Sequence, residues 1–377
     1  MPTTGIGFAA IWEDPPEPTW SYIPWNLRAA LARRTDVTVA DIGFTFSGWE
    51  QRVLKLAHLR SLRGRTRSTW RHSDTVSSIA ARRFERSARG AGVDVVLQTT
   101  PIAAVRDRPY FVYHDAGVDA LEDHRDPRTG QHPFLTNVPP QTVERIRARQ
   151  RRIFLGAAGV FTFSRWLADA LVDRVGVDPA RITVVPPGRN ADAVDTTFEA
   201  HPRSRPGAHR HRLLFVGKVF GPKGGDLVLA ALARLRQQDP TVTLTIAGPP
   251  APPVDPLPDG VEFLGRIPVQ RVAALYAEHD LFVMPSRIEP FGIVFVEALA
   301  HGLPCVARNA FAMPEIIRPG ENGALVDDDD PDALAAAIAG VLGDDEVFAR
   351  VDAGRADVAA HYSWDRAAQQ MVEVMRG

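Results

Sequence analysis

Cysteine and lysine are scarce in this 377-residue sequence, which has one cysteine and only three lysines among its 44 Lys and Arg residues. Cys305 cannot form an internal disulfide, and its apolar neighbours in GLPCVA predict a buried, unreactive thiol. No apolar run reaches the roughly 18 residues of a membrane-spanning helix. The opening segment, MPTTGIGFAAIWEDPPEP, lacks the basic region of a signal peptide. Together these absences predict a cytoplasmic protein.

The overall charge is also small. A net charge of −1 gives no field that would attract nucleic acid, so no nucleic-acid partner is expected. The length exceeds one ordinary hydrophobic core, which favours two domains. Because arginine is the default basic residue here, the lysines are informative, and Lys218 and Lys223 lie only five positions apart.

Short apolar runs alternate with helical patterns in both halves of the chain. Strands are predicted at 5–12, 36–43, 94–100, 110–115, 159–164 and 181–188, then at 212–219, 241–248, 261–266, 281–286, 304–309 and 323–327. Helices are predicted at 22–34, 164–176, 225–238, 270–278, 292–301 and 332–343. Continuous Val- and Ile-rich strands separated by helices indicate parallel sheets covered on both faces. The fold class is therefore α/β, with two doubly wound domains, 1–188 and 189–361, joined through the polar stretch 188–211.

The segment LLFVGKVFGPKGGDLVL predicts a strand, a glycine-rich loop and a helix. Glycines allow close approach of a ligand, a helix N-terminus favours an anion, and Lys218 and Lys223 add positive charge. The loop is neither a Walker A motif nor a dinucleotide fingerprint. The alternative is a solvated turn with two surface lysines.

The segment SRIEPFGIVFVEALAHG places two carboxylates eight residues apart in an apolar run. Glu289 is expected in the loop after a strand, and Glu297 in the helix that follows. Carboxylates accept hydrogen bonds from hydroxyls, and the free helix amides between them suit a phosphate or a sugar edge. A nucleotide sugar has this arrangement of groups. The alternative is that the two residues serve as structural caps or ion-pair partners.

Four segments together resemble the retaining glycosyltransferases of the GT-B fold, family four (glycosyl transferases group 1). They are VGKVFGPKGG, the Glu289–Glu297 pair, EPFGIVFVEALAHGLPCVA and FTFSRWLADALVDRVGVDPARITVVPPG. The resemblance covers most of residues 155–377. It implies two Rossmann-like domains facing each other across a cleft, with residues 362–377 forming a helix that returns to the N-terminal domain.

The resemblance also implies roles for individual residues. Lys218 and Lys223 would neutralise the donor diphosphate, Glu289 would hold the transferred sugar, and His114, in YFVYHD, would contact that sugar or the acceptor side. These four are the predicted catalytic residues. Donor binding is assigned to Glu297, on the ribose hydroxyls, and to Gly217, Arg266, Phe291, Gly292 and Ile293.

The implied reaction is front-face substitution with retention of configuration, in which the departing phosphate oxygen accepts the proton of the acceptor. No metal ion or cofactor is expected, and a uridine diphosphate sugar is favoured over a guanosine one. The chain departs from the family in WEDPPEPTWSYIP, which replaces an early Gly-Gly loop, and in Lys218, which stands where arginine is usual. An epimerase, a phosphorylase or an inactive nucleotide-sugar binder of the same fold stays as an alternative.

The acceptor is expected beside two acidic loops that follow N-terminal strands. The first carries Trp12, Glu13, Asp14, Glu17 and Trp20; the second carries Asp115, Asp119, Glu122, Asp123 and Asp126. Eight carboxylates beside tryptophan would attract a cation, which predicts a small hydroxylated acceptor bearing amines, as in secondary metabolism. The alternative is that these residues cap helices and bind neutral sugar hydroxyls.

The stretch 50–89 carries eleven basic residues, which suit an anionic membrane surface. It has few large apolar residues in a clear stripe, so a solvated pair of helices is favoured over membrane association. A glycosyltransferase acting on a membrane lipid or a polysaccharide precursor is the corresponding alternative.

Overall fold

A computed structural model of the protein describes residues 3–62, 65–125, 132–135, 138–190 and 202–377, with side chains left out at 60–62 and 65–67. The chain forms two compact units. The first comprises Met1–Gly188 with Trp364–Gly377, and the second comprises Arg189–Ser363.

The first unit is built on a parallel sheet. Its strands are β1 (Thr4–Ala9), β3 (Val37–Asp41), β7 (Val95–Gln98), β8 (Tyr110–His114), β9 (Gly159–Thr162) and β10 (Ile182–Val184), in the spatial order β10-β9-β8-β7-β1-β3. Two short strands, β2 (Ile11–Trp12) and β4 (Phe44–Thr45), pair with each other, and β5 (Leu59–Leu62) and β6 (Arg65–Ser68) form a hairpin. The helices are α1 (Ile23–Ala32), α2 (Gly48–Ala57), α3 (Asp74–Gly90), α4 (Pro140–Gly156) and α5 (Arg165–Ala170).

A buried apolar cluster joins the helices of this unit to its sheet. Phe84 of α3, Phe154 of α4 and Leu167 of α5 pack with Val96 of β7 and Val112 of β8. Every one of these side chains is at most 1% exposed, so the strands are buried as the continuous apolar runs predicted.

Two sequence predictions in this unit are wrong in detail. The predicted strand 5–12 ends at Ala9, and Ile11–Trp12 leave the main sheet to pair with β4. This close crossing requires Gly43, where a Cβ would lie 2.4 Å from the Trp12 Nε1 and 2.6 Å from the Ala10 carbonyl. The predicted helix 164–176 is α-helical only over Arg165–Ala170 and continues as a π-helical turn over Leu171–Val175.

The second unit repeats the architecture. Its strands β11 (Arg212–Val216), β12 (Thr243–Ala247), β13 (Val261–Gly265), β14 (Leu281–Met284), β15 (Cys305–Arg308) and β16 (Gly323–Val326) are all parallel, in the order β13-β12-β11-β14-β15-β16. The helices are α6 (Gly225–Gln238), α7 (Val269–Glu278), α8 (Ile293–Ala300), α9 (Met313–Ile316), α10 (Pro331–Leu342), α11 (Asp345–Ala353) and α12 (Arg355–His361). The predicted buried thiol is confirmed, because Cys305 is 0% exposed.

The last helix, α13 (Trp364–Arg376), belongs to the first unit although the chain reaches it from the second. Its apolar face is buried, and its polar groups anchor it: Arg366 donates to the Pro186 carbonyl at 2.7 Å, and Asp365 pairs with Arg33 at 2.6 Å. The returning helix that the family resemblance implied is therefore present.

Helix α2 presents a stripe of large apolar side chains to solvent. Trp49, Val53 and Leu56, spaced i, i+4 and i+7, are 68%, 54% and 68% exposed, whereas Leu54 on the opposite side is buried. Arg52 and Lys55 beside the stripe are exposed. The expectation of few large apolar residues concerned the stretch 50–89, and Trp49 lies just outside it. Each helix that the structure describes is too short or too polar to cross a membrane.

Candidate active site

In the second unit, two loops meet at the carboxyl ends of the neighbouring strands β11 and β14. The Arg287 N–H donates to the Pro222 carbonyl at 3.0 Å, and the Ser286 hydroxyl donates to the same oxygen at 3.3 Å. Gly224 begins α6 at φ 76°, and a Cβ there would lie 2.4 Å from the Pro285 carbonyl oxygen. Only glycine tolerates both the left-handed conformation and the close approach. The glycine-rich loop is thus packed directly on the loop that carries Glu289.

This packing brings two predicted catalytic residues into contact. The Lys223 Nζ lies 2.6 Å from the Glu289 Oε2 and 3.3 Å from the Ile288 carbonyl oxygen. The two side chains are 24% and 16% exposed, so the pair lies at a wet surface recess. The second carboxylate oxygen, Oε1, has no hydrogen-bond partner among the described residues. It is therefore available to accept a hydrogen bond from a ligand hydroxyl.

The N-terminus of α8 lies directly after this pair. Gly292 precedes the helix at φ 77°, and a Cβ there would lie 2.8 Å from the Phe295 ring and 3.0 Å from the Glu289 Cγ. Ile293 and Val294 are partly exposed, and their amides have no acceptor in the part of the chain that the structure describes. Free amides at a helix N-terminus form a site for an anion. A cation from the glycine-rich loop thus lies beside a carboxylate and an anion site on the loop before α8.

Glu297, the predicted ribose ligand, lies one turn further along α8 and is buried. It is 4% exposed, and its Oε1 and Oε2 accept hydrogen bonds from the Asn190 N–H at 3.1 Å and the Tyr276 hydroxyl at 3.3 Å. Burial raises its pKa to about 7. A ribose diol would have to replace the Asn190 amide to reach this carboxylate.

The other predicted donor residues differ in how closely they join this site. Gly217 lies at the end of β11, where a Cβ would come within 3.3 Å of the Lys223 Cγ, and Phe291 is buried beside Gly292. Lys218 is exposed and forms no hydrogen bond or ion pair with the described residues. Arg266 is also exposed and follows β13, at the edge of the sheet two strands from β11.

One residue that positions the site was missed by sequence reasoning. Arg287 pairs with Asp226 at 2.7 Å and with Asp329 at 2.6 Å, and it donates to the Gly221 carbonyl at 2.5 Å. The Asp226 carboxylate is the main reason that the pKa of Arg287 lies well above its usual value. Arg287 therefore ties the glycine-rich loop to the Glu289 loop. Its partners lie 42 to 66 positions away from it in the sequence, so no local motif could reveal them.

The predicted residues of the first unit surround the ends of β1 and β8. His114 ends β8, and its Nδ1 is buried without a hydrogen bond, 3.9 Å from an Asp115 carboxylate oxygen. Burial lowers the pKa of His114 to about 4, so the imidazole is neutral near neutral pH. The Trp20 ring packs 5.5 Å from the imidazole. A neutral imidazole here can donate or accept a hydrogen bond but supplies no positive charge.

Trp20 is held over His114 by an unusual backbone. Trp20, Ser21 and Tyr22 have φ values of 42°, 57° and 66°, three consecutive left-handed residues without glycine. Each such residue is strained by about 1–3 kcal/mol, a cost that proteins concentrate at functional sites. The segment lies in WEDPPEPTWSYIP, the stretch in which the sequence departs from the family pattern.

A cavity of about 580 Å³ lies beside this segment, within the first unit. Three predicted acceptor residues, Trp12, Glu13 and Asp14, line it, and Asp115 does not. The remaining lining includes Trp20, Phe46, Trp70 and Arg71. Trp70 and Arg71 were not predicted, since the chain returns to the cavity only after the β5–β6 hairpin.

The predicted concentration of eight unpaired carboxylates is wrong. Asp119 pairs with Arg151 at 3.1 Å, Glu122 pairs with Arg125 at 2.5 Å, and Asp123 pairs with Arg174. Asp126 lies outside the described residues. Among the described carboxylates of the two loops, Glu13 and Asp14 line this cavity and those of the second loop do not.

Solved structures with a similar fold cover nearly the whole chain. A sucrose-phosphate synthase from Thermosynechococcus elongatus has a TM-score of 0.69 at 20% identity, covering 99% of this chain and 98% of that one. WaaG, a glycosyltransferase involved in lipopolysaccharide biosynthesis, has a TM-score of 0.66 at 16% identity, covering 99% and 100%. Anabaena HepE in complex with UDP-glucose has a TM-score of 0.63 at 19% identity, covering 99% of both chains. The two units have the GT-B fold.

The sequence then identifies the domain. Residues 210–344 match the family described as Glycosyl transferases group 1. A D-inositol 3-phosphate glycosyltransferase from Corynebacterium efficiens is 33% identical over 54% of this chain and 53% of its own. One from Paenarthrobacter aurescens is 32% identical over 64% of both. The chain thus spans about half the length of the first of these relatives, and its residues 210–344 resemble a glycosyl transferases group 1 domain.

Proposed function

We propose that this protein is a glycosyltransferase that moves a sugar from a nucleoside diphosphate sugar to an acceptor hydroxyl with retention of configuration. The observation that carries the proposal is the Lys223–Glu289 pair beside the open N-terminus of α8. A cation and free amides suit a diphosphate, and the unused carboxylate oxygen of Glu289 suits a sugar hydroxyl. Lys218 and His114 complete the proposed catalytic set.

In the proposed reaction, the bond between the anomeric carbon and the diphosphate oxygen breaks and its electron pair goes to the phosphate. The acceptor hydroxyl bonds to the same face of the sugar and passes its proton to the departing oxygen. Lys223, Lys218 and the Ile293 and Val294 amides stabilise the charge that develops on the phosphate, and Glu289 holds the sugar. Such preorganised charge stabilisation usually makes the largest single contribution to enzymatic rate enhancement.

We propose a uridine diphosphate sugar as donor and a reaction that needs no metal ion. The presence of UDP-glucose in the HepE complex supports the first choice by analogy of fold. Two lysines of the glycine-rich loop and two amides at the start of α8 support the second, because they supply the positive potential that a diphosphate requires.

For the acceptor, we propose a small hydroxylated molecule that bears an amine. The cavity of the first unit offers tryptophan faces with Glu13 and Asp14, and Arg71 is the one basic residue among its described lining. The relatives are named for an inositol phosphate acceptor, for which a more basic cavity is expected. Neutral sugar hydroxyls would also pack on tryptophan faces. Amine-bearing acceptors are therefore compared with neutral polyols of the same size.

The test is incubation with a panel of nucleotide sugars and candidate acceptors, followed by measurement of free nucleoside diphosphate. We expect release that depends on both a donor and an acceptor. A nucleotide sugar isomer as product would indicate an epimerase, and a sugar phosphate would indicate a phosphorylase. If no nucleotide sugar is turned over, the protein would be an inactive nucleotide-sugar binder.

The α2 stripe supports a second candidate, in which the same transfer acts on a lipid or polysaccharide precursor held at a membrane. Trp49, Val53 and Leu56 would enter the interface, with Arg52 and Lys55 facing anionic headgroups. The test is co-sedimentation with vesicles of increasing anionic lipid content. Leu56→Ser should reduce binding, and Val374→Ser, on exposed α13 surface, should not. If vesicle binding depends neither on the anionic lipid content nor on Leu56, this candidate is contradicted.

A further inference from the structure

We propose that Arg71 occupies a cation subsite built from Trp70 and Glu13, and that the protonated amine of the acceptor binds there in its place. The inference rests on the proposed function, since it assigns the part of the acceptor cavity that recognises the amine. It makes Glu13 and Trp70 binding residues and Arg71 a specificity residue.

In the structure, the Arg71 side chain occupies the subsite. The Arg71 guanidinium lies 5.5 Å from the centre of the Trp70 ring, and its Nη1 lies 3.8 Å from the Glu13 Oε1. An aromatic face and a carboxylate around one cation form the standard environment for an ammonium group. All three residues line the same cavity.

Trp70 and the backbone of Glu13 are held in place by buried contacts. Trp70 is 7% exposed and packs edge-on against Phe46 at 5.7 Å. The Glu13 N–H donates to the Thr19 hydroxyl at 2.8 Å, and Thr19 is 6% exposed. The ring and the loop that carries the carboxylate are therefore preorganised, which a recognition site requires.

Arg71, in contrast, is held loosely. Its side chain is 64% exposed, and its ion-pair contact is long and involves a half-exposed carboxylate. Exposed pairs of this kind contribute little, because solvent screens the charges and both side chains lose freedom. A ligand ammonium can therefore displace Arg71 at small cost.

Asp14 adds to the charge complementarity. It lines the same cavity, is exposed, and has no ion-pair partner among the described residues. Once Arg71 swings out, the described lining residues include two carboxylates and no basic side chain. That arrangement selects an amine over a neutral hydroxyl and disfavours a phosphate.

The test is calorimetric titration of the whole protein with three matched polyols: glucamine, sorbitol and sorbitol phosphate. Wild type should prefer glucamine. Arg71→Gln should strengthen glucamine binding about 2- to 5-fold, the range that an exposed ion pair allows, and leave sorbitol unchanged. Glu13→Gln should weaken glucamine binding to a similar degree. Arg33→Gln removes an exposed ion pair with Asp365 elsewhere in the first unit and should change nothing.

The opposite pattern overturns the inference. If Arg71→Gln weakens glucamine binding, or mainly weakens sorbitol phosphate binding, Arg71 recognises an anionic acceptor and is not a stand-in cation. The inference is also overturned if glucamine binds no better than sorbitol to wild type and to Arg71→Gln, because the cavity then does not recognise the amine. These titrations need no donor, so they fail or succeed independently of nucleoside diphosphate release, on which the proposed transferase function depends.

Discussion

Replacing Glu297 by glutamine should stabilise the protein near pH 8 and weaken donor binding. The carboxyl is 4% exposed, and burial raises its pKa from the ordinary 4.5 to about 7. The folded chain therefore binds this proton more tightly than the unfolded chain does. Stability from the proton is complete below about pH 4.5 and is lost as the pH rises to about 7.

The size of the effect follows from the same values. A pKa difference from 4.5 to about 7 corresponds to at most about 3 kcal/mol. Glutamine has nearly the same shape as protonated glutamic acid and carries no charge. The variant should therefore have, at every pH, the stability that wild type has when Glu297 is protonated. We expect Glu297→Gln to match wild type near pH 5 and to exceed its free energy of unfolding by up to about 3 kcal/mol near pH 8.

The assay is thermal unfolding of both proteins at the two pH values, with and without uridine diphosphate. Comparison at each pH cancels the titration of the buried histidines, which is common to both proteins. Glu321→Gln, at an exposed carboxylate of the same unit, is the control and should show no such gain. A stability difference that does not change with pH would refute the assignment of a buried, pKa-shifted carboxyl. If uridine diphosphate raises the melting temperature of Glu297→Gln as much as that of wild type, the proposed role of Glu297 at the ribose would be refuted.

Lys223→Ala should lower kcat about 10²-fold or more in the release assay, because it removes charge stabilisation of the leaving group; an unchanged kcat would remove Lys223 from the catalytic set. Gly292→Ala should lower the melting temperature and the activity together, because its φ of 77° strains alanine and the new Cβ would press on Glu289; a fully active, equally stable variant would contradict this geometry. Arg287→Ala should raise KM for the donor, and Arg271→Ala, in an exposed ion pair on α7, is its control. Addition of a chelator should leave turnover unchanged, and loss that Mg²⁺ restores would contradict the metal-independent proposal.

Periodicity predicted the elements that carry the second unit. The predicted helix 225–238 coincides with α6, and the strand preceding each site loop begins at or within two residues of its predicted position. These elements have strong local signals: apolar runs, a glycine at the helix start, and lengths typical of parallel strands. Helix α4 was missed because arginines interrupt its apolar stripe of Val143, Ile146, Ile153 and Phe154.

The tertiary contacts of the site could not be predicted in the same way. The Lys223–Glu289 contact joins residues 66 positions apart, and it depends on β11 and β14 being neighbours in the sheet. The burial of Glu297 depends on Asn190 and Tyr276, which no motif relates to it. The Arg71–Glu13 contact joins two segments that no motif relates. Such pairings are set by topology, whereas sequence motifs report only local geometry.

The central claim is retaining transfer of a sugar at the Lys223–Glu289 site. The most direct test is a proton NMR time course of the enzyme with a nucleotide sugar and an acceptor, in which the anomeric proton is followed. We predict that the donor signal is replaced by one product signal of the same anomeric configuration, and that Lys223→Ala slows this change about 10²-fold or more. An inverted product, an isomerised donor, or full activity of Lys223→Ala would contradict the account.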